Sequence, residues 1–144
     1  MRIAILSCFP PYRGGISQFN TSLYQELSQS CTVEAFNFKR QYPEFLFPGK
    51  TQYISDGTRP PFEAVRVLDT ANPFSYISTV RAIRKWRPDL LLMRYWMPYF
   101  APSQGYVARH MLPGCKVISI LDNVIPHEHR FFDKPLTSYY LKGH

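Results

Sequence analysis

Two segments of this sequence carry residue types that could bind an anionic ligand, and the first is Arg13-Gly14-Gly15. It follows the apolar run Ile3–Ser7 and precedes a stretch with helical periodicity. Glycine allows backbone N–H groups to approach a ligand, a helix N-terminus favours negative charge, and Arg13 could add a bidentate contact to phosphate. A tight turn that only lets the helix pack explains the same residues, so both interpretations stay open. The segment lacks the GxGxxG pattern and the Lys-Ser/Thr of a P-loop, which argues against simple NAD and nucleoside triphosphate sites.

The second segment runs from Asp122 to Glu128 and directly follows the apolar run Lys116–Leu121. Loops after parallel strands meet at one edge of a sheet, so this segment is predicted to face the same crevice as the glycine pair. Asp122 or His127 could hydrogen-bond a sugar hydroxyl or assist a proton transfer, and Asp122 is the catalytic candidate. Asn123, His127 and Glu128 are candidates for substrate binding. A hydrogen-bonded loop without a ligand is the alternative.

The sequence predicts neither a metal nor a cofactor. The run His127–His129 (HEH) lacks the HExxH spacing that places two histidines on one helix face. Cys8, Cys31 and Cys115 are widely separated and form no CxxC pair. Three separated cysteines predict neither a disulfide framework nor a zinc site, and they favour a reducing, cytoplasmic location.

Two further clusters have a structural and a functional interpretation. The run Arg94–Phe100 (RYWMPYF) is rich in aromatic side chains, which suit either a sugar or lipid acceptor or, more commonly, a protein core. Arg81, Arg84 and Lys85 lie beside an apolar helical stripe, as on a helix that contacts an anionic membrane surface. A basic face exposed only to water is the more common explanation of such residues.

The elements that must position these residues alternate along the chain. Apolar runs typical of buried strands are Ile3–Ser7, Thr32–Phe38, Ala64–Leu68, Asp89–Tyr95 and Lys116–Leu121. Helices are predicted from Ile16 with a stripe of Ile16, Phe19, Leu23 and Leu27, from Pro73 to Trp86, over Pro98–Met111 with interruptions at Pro102 and Gly105, and from Asp133. This order predicts an α/β fold: a Rossmann-like parallel sheet with helices on both faces.

Size and charge limit the partners. The 144 residues suit one domain, and the hydrophobic fraction of 45% can support a single core. The net charge of +7 favours anionic partners, among which nucleic acid, an anionic membrane and a phosphorylated small molecule all fit. No apolar run approaches the roughly 20 residues of a membrane span, so any membrane contact is expected to be peripheral.

The C-terminal residues suggest an incomplete sheet. Asp133 has the type of a helix N-cap and Pro135 stands in the first turn, but only a short helix can follow. A doubly wound sheet normally continues with another strand. The sequence is therefore expected to be one domain, residues 1–144, of a longer protein.

The order of these segments resembles a known family. The pattern IAILSCFPPYRGGISQFN is similar to the opening of GT-B glycosyltransferases of the family-4 (group 1) type. The stretches PEFLFPGKTQY, ANPFSY and LDNVIPHEHRFFDKPLT resemble one bacterial branch of that family. The similarity extends over nearly the whole chain.

The resemblance implies the N-terminal, acceptor-side domain of an enzyme that transfers a sugar, with retention, from a nucleotide-sugar to a saccharide or lipid-linked acceptor. The glycine-rich loop that approaches the donor phosphates corresponds to Gly14 and Gly15. The residue that approaches the transferred sugar is commonly a histidine, and the matching position is Asp122. The donor-binding C-terminal domain, with a Lys/Arg pair and an E-x7-E motif, is not recognised. Glu26 and Glu34 have that spacing, but they fall in a helix and a strand of the first unit.

Two alternatives differ in what the isolated chain would do. It could be the acceptor subunit of a split two-chain glycosyltransferase, which a separate gene for the donor half would favour. It could also be a non-catalytic nucleotide- or nucleic-acid-binding module, as the positive charge suggests. No RNA-binding or helix-turn-helix signature is present, so nucleic acid is not predicted as a partner.

Overall fold

A computed structural model describes residues 1–43, 53, 59–122 and 131–144. The strands are β1 (Arg2–Leu6), β2 (Thr32–Arg40), β3 (Val65–Asp69), β4 (Leu90–Tyr95) and β5 (Lys116–Leu121). The helices are α1 (Gly15–Leu27), α2 (Pro73–Trp86), α3 (Ala101–Arg109) and α4 (Asp133–Leu141), with a single 3-10 turn at Pro98–Phe100 before α3. All five predicted strands are confirmed within two residues at either end.

The described strands form one parallel sheet in the order β3-β2-β1-β4-β5. The chain moves outward from β1 through β2 to β3, and then returns to the other side of β1 for β4 and β5. Successive crossovers therefore leave β1 and β4 in opposite directions, which opens a crevice beyond their carboxyl ends. The predicted Rossmann-like α/β fold is confirmed.

Alternate residues of the strands separate the core into two layers. Ala4 and Leu6 of β1 face the layer that α2, α3 and α4 cover, whereas Ile3 and Ile5 face the layer beneath α1. The central strand β1 is covered on both faces and is apolar almost throughout, whereas the edge strands leave Val65 of β3 and Ile118 of β5 exposed. The helices thus lie on both faces, as the sequence predicted.

Helix α1 departs from the predicted stripe at Phe19, whereas Ile16 and Leu27 of that stripe pack partly buried against the core. Its buried residues are Ser17 and Asn20, while Phe19 is 48% exposed. Asn20 is drawn inward because its amide has buried partners in the loop after β1. Phe19 instead lies against the side chain of Arg94. The prediction for Phe19 was wrong because the helical periodicity of apolar residues does not show which polar side chains are buried to form hydrogen bonds.

Helix α3 continues through the two residues that were expected to interrupt it. Pro102 lies in the first turn, where a missing N–H removes no helical bond. Gly105 lies where α3 meets α4: a Cβ there would stand 2.7 Å from Cε1 of Tyr139. Helix α4 begins at Asp133 with Phe132 as the capping residue, so the predicted cap is displaced by one position.

Candidate functional site

The loop after β1 forms one side of the crevice and ends in the predicted glycine pair. Gly14 caps α1 with φ 121°, a conformation that strongly favours glycine. Gly15 has no such constraint, and a Cβ placed on it would meet nothing within 4 Å. Arg13, Gly14 and Gly15 are all exposed. The space beside Gly15 is thus open to a ligand.

The N-terminus of α1 has hydrogen-bond donors to offer. No side chain caps it, and its first turn contains no acidic residue. The first helical bond runs from the N–H of Gln18 to the carbonyl of Gly14. The N–H groups of the first turn therefore point toward the crevice without helical partners, which is the arrangement that binds anions at helix N-termini.

Two buried asparagines hold the loop after β1 in place. Asn37 of β2 accepts a hydrogen bond from the N–H of Phe9 at 3.1 Å and donates to the carbonyls of Phe9 and Pro10 at 3.0 and 3.1 Å. Asn20 of α1 donates to Ser7 Oγ at 2.8 Å and to the carbonyl of Cys8 at 2.9 Å. These contacts satisfy backbone groups that β1 no longer pairs, and they fix the loop before it reaches the glycine pair. Sequence reasoning missed both residues, although a polar Asn37 within an apolar strand was an available signal.

Arg94 and Asp122 form the opposite side of the crevice. Arg94 lies near the end of β4, and Asp122 directly follows β5. The guanidinium donates through Nε to Oδ2 of Asp122 at 2.5 Å and through Nη2 to Oδ1 at 2.6 Å. The Arg94 side chain is 13% exposed and that of Asp122 is 29% exposed. Both carboxylate oxygens of the predicted catalytic residue are therefore already hydrogen-bonded to a neighbouring cation.

The guanidinium of Arg94 also links this pair to α1. Its Cζ lies 4.3 Å from the centre of the Phe19 ring, so the cation lies over the face of an aromatic side chain in the first turns of α1. One nitrogen remains: Nη1 of Arg94 is buried and has no hydrogen-bond partner among the described residues. A buried donor without a partner costs about 1–3 kcal/mol, so its presence calls for a physical explanation.

The structure brings together part of the predicted site. Arg13, Gly14, Gly15 and Asp122 lie at the carboxyl edge of the sheet, in the loops that follow β1 and β5. The predicted binding residues Asn123, His127 and Glu128 lie outside the described residues. Arg94 was grouped with the aromatic run and not with the site, because its sequence position inside a strand suggested a structural role.

The rest of that aromatic run belongs to the core, as the commoner of the two interpretations had it. Tyr95 and Phe100 are fully buried, and Trp96 and Tyr99 pack partly buried against them. Gln104 of α3 donates to the carbonyl of Arg94 at 3.2 Å and fixes the end of β4 from the other face of the sheet.

Other polar groups of the described residues include a buried thiol and a second hydrogen-bonded cluster. Burial raises the pKa of the Cys8 thiol to about 12, so Cys8 stays protonated at neutral pH. A second polar cluster lies on β5, where Ser119 Oγ is 2.5 Å from Nε2 of His144 and also hydrogen-bonds the Tyr140 hydroxyl. Among the described residues, no three His, Cys, Asp or Glu side chains gather as a metal site would require.

The outward face of α2 combines cations with apolar side chains. Arg81, Arg84 and Lys85 are exposed, as predicted. Phe74 is 81% exposed and Ile77 is 41% exposed on the same helix. In the part of the chain that the structure describes, no helix has the length and apolar character needed to cross a membrane.

Comparison with known proteins adds no assignment. No protein-family model matches this chain, and no curated protein sequence is significantly similar to it. The site must therefore be interpreted from its own geometry.

Proposed function

We propose that this chain is the acceptor-side domain of a retaining glycosyltransferase, which transfers a sugar from a nucleotide-sugar to a saccharide or lipid-linked acceptor. The observation that carries the proposal is the convergence of two predicted segments, the glycine pair and Asp122, on the crevice where the strand order reverses. Open α/β sheets bind their ligands at that position. The reaction class is inferred from the sequence resemblance, and the crevice is the proposed binding site for the substrates.

The chemistry of the crevice suits a phosphorylated ligand. The uncapped N-terminus of α1 and the open space beside Gly15 allow backbone N–H groups to approach phosphate oxygens. Arg13 and Arg94 add two cations near the loops after β1 and β4. In sugar transfer the bond between the anomeric carbon and the diphosphate breaks, the acceptor oxygen forms the new bond, and the acceptor proton passes to an oxygen of the departing diphosphate. Charge develops on the diphosphate, which donors of this kind stabilise.

One domain supplies only one wall of such a site. The transferred sugar must be held against the acceptor in a closed cleft, and the departing diphosphate needs further cationic partners. We therefore expect the purified 144-residue chain to transfer no sugar from any nucleotide-sugar, although it should bind donor or acceptor weakly. Peripheral contact of the α2 face with an anionic membrane fits a lipid-linked acceptor and is part of the proposal.

Gly15 allows a direct test of the site. Its φ is unconstrained and its Cβ position is open, so Gly15→Val should fold normally while filling the space beside the helix N-terminus. Titration of isotope-labelled protein with nucleotide-sugars should shift the amide resonances of Gly14 and Gly15 in the wild type. We expect Gly15→Val to weaken this binding at least about tenfold, the loss of a few backbone contacts.

The matched control is Gly15→Ala, which adds one methyl group in the same open space and should weaken binding less. Thermal unfolding of both variants should match the wild type. Nucleotide-sugar binding that Gly15→Val leaves unchanged, or shifts confined to other parts of the sheet, would refute the proposed site. Salt-sensitive binding of generic RNA or DNA in a gel shift would favour a nucleic-acid-binding module instead.

A further inference from the structure

We propose that Arg94 is the residue of this crevice that binds a phosphate oxygen of the ligand, and that Asp122 positions Arg94 instead of acting as a catalytic base. The inference deepens the proposed function and rests on it for the presence of a phosphorylated ligand. It rests on three observations: the occupied carboxylate of Asp122, the unpartnered nitrogen of Arg94, and the place of the guanidinium beside α1.

The first observation concerns Asp122. A general base must reach the proton that it removes, and a carboxylate with two oxygens can accept about four hydrogen bonds, of which the pairing with Arg94 uses two. Both oxygens of Asp122 accept hydrogen bonds from Arg94, at 2.5 and 2.6 Å. A bidentate pair of this kind holds the planar guanidinium in one orientation. The geometry is that of a carboxylate that orients an arginine.

The second observation concerns the capacity of Arg94. A guanidinium has five N–H donors, and the contacts with Asp122 use the edge formed by Nε and Nη2. Nη1 is buried and unpartnered among the described residues. An acceptor supplied by a ligand would satisfy it, and an anionic acceptor would do so most strongly. Among the described residues this donor has no acceptor, and because it is buried, a ligand would reach it only as the groups that cover it move aside.

The third observation concerns location. Arg94 lies on the face of β4 that is turned toward α1, and its guanidinium stacks on Phe19, four residues after Gly15. The uncapped N–H groups of α1 and the unpartnered nitrogen of Arg94 therefore belong to the same side of the sheet and the same edge. A ligand group with several anionic oxygens could accept from both, which is the property of a phosphate or diphosphate.

The same chemistry occurs in the diphosphate of a nucleotide-sugar and in the phosphate of a lipid-linked saccharide. Inorganic pyrophosphate carries the shared group alone and serves as the first probe. A nucleoside diphosphate and a water-soluble, short-chain lipid-phosphate saccharide then form two further arms of the experiment. Whichever of the two competes with pyrophosphate at the lower concentration identifies the source.

The sign of one substitution separates the two roles of Asp122. Asp122→Asn removes a negative charge beside Arg94 but leaves an oxygen to accept one hydrogen bond. If Arg94 binds the anion, pyrophosphate affinity should rise roughly 50-fold, as expected for removal of one like charge about 7 Å away at the effective dielectric constant of about 20 near a protein surface. If Asp122 instead accepts a hydrogen bond from the sugar, Asp122→Asn should weaken the binding of a nucleotide-sugar, which carries that hydroxyl and which pyrophosphate lacks. Arg94→Gln should lower affinity at least about tenfold.

A matched pair elsewhere in the chain controls for overall charge. Arg40 and Asp69 form an equivalent bidentate contact at 2.9 Å between β2 and β3. Asp69→Asn changes the net charge equally, and we expect pyrophosphate affinity to change less than about twofold. Equal tightening in Asp69→Asn and Asp122→Asn would overturn the inference, because it would trace the effect to net charge.

The remaining outcomes are equally decisive. Weaker binding by Asp122→Asn, unchanged binding by folded Arg94→Gln, or no pyrophosphate binding by the wild type would each refute the role of Arg94. Should Arg94→Gln fail to fold, Arg94→Lys takes its place: it keeps the charge but loses the planar bidentate contact, and we expect it also to lower pyrophosphate affinity. The inference can fail while the proposed function stands. That is the case if nucleotide-sugars shift the amide resonances of Gly14 and Gly15 and these shifts are lost in Gly15→Val but kept in Arg94→Gln.

Discussion

Two arginine–aspartate pairs join the carboxyl ends of neighbouring strands, one in each half of the sheet. Arg40 and Asp69 connect β2 to β3, and Arg94 and Asp122 connect β4 to the loop after β5. Both pairs are bidentate, with the arginine Nε and Nη2 as donors. Their chemistry is the same, so their differences must come from their surroundings.

Burial is the main difference. The Arg40 side chain is 48% exposed, whereas that of Arg94 is 13% exposed. Asp69 also accepts a hydrogen bond from the N–H of Ala71, so its carboxylate is part of the turn that leads into α2. The pair in the β2–β3 half is therefore a surface link in a local turn. In the β4–β5 half the guanidinium is mostly buried, and its Nη1 has no hydrogen-bond partner among the described residues.

We expect the largest difference between the two pairs in the free energy of unfolding that is lost when each arginine is replaced by alanine. Arg94→Ala removes a mostly buried guanidinium together with its two hydrogen bonds to Asp122 and its stacking on Phe19. We expect it to lower the free energy of unfolding by about 2–4 kcal/mol, compared with less than about 1 kcal/mol for Arg40→Ala. Urea unfolding of the two variants, followed by circular dichroism, measures both values. Equal losses would show that the two pairs differ in exposure but not in energetic role.

The fold was largely predictable because buried parallel strands are recognisable in a sequence as short apolar runs. A strand covered on both faces must be apolar throughout, as in LLLM of β4. The start of α2 is marked by Asn72-Pro73, because the Asn72 side chain accepts a hydrogen bond from the N–H of Phe74. Helix faces were harder to predict. Asn20 is buried and Phe19 exposed because a loop needed hydrogen bonds and an arginine needed an aromatic partner.

The site was predictable only in outline. Gly14, Gly15 and Asp122 follow strands, and that rule alone places them at one edge. Arg94 could not be found in this way, because its role depends on pairing with a residue 28 positions away. The register of β4 and β5, which sets Arg94 beside Ile120 and close to Asp122, is a property of the folded sheet.

A smaller difference is expected in the coupling energy within each pair and in its dependence on salt. A double-mutant cycle with Arg94→Ala and Asp122→Ala should give a coupling energy of about 1–3 kcal/mol, against about 0–1 kcal/mol for Arg40 and Asp69. Exposed pairs are screened by ions, so the second value should approach zero in 1 M NaCl while the first persists. A coupling of Arg94 with Asp122 that also disappears in salt would mean that water reaches the pair freely.

The smallest expected effect is a dependence on pH that has opposite sign in the two halves. Burial lowers the pKa of His144, which contacts β5, below its ordinary value of 6.5, and burial raises the pKa of Glu34 on β2 above 4.5. Below pH 6.5 the unfolded state binds more protons at His144 than the folded state does, so the stability associated with His144 falls as pH falls. Folded Glu34 holds its proton to higher pH than the unfolded chain does, so its contribution falls as pH rises from about 4.5.

Variants that remove each group isolate the two contributions from the other titrations of the chain. The stability of His144→Gln relative to the wild type should increase as pH falls from 7.5 to 5, because only the wild type carries the penalty of protonating a partly buried ring. Relative to the wild type, Glu34→Gln should become more stable as pH rises from 4 to 6, because the wild type must then bury a charged carboxylate. Urea midpoints at half-unit pH intervals measure both trends. Parallel trends in the two variants would show that one shared, long-range charge effect governs both halves, and local burial would no longer account for their difference.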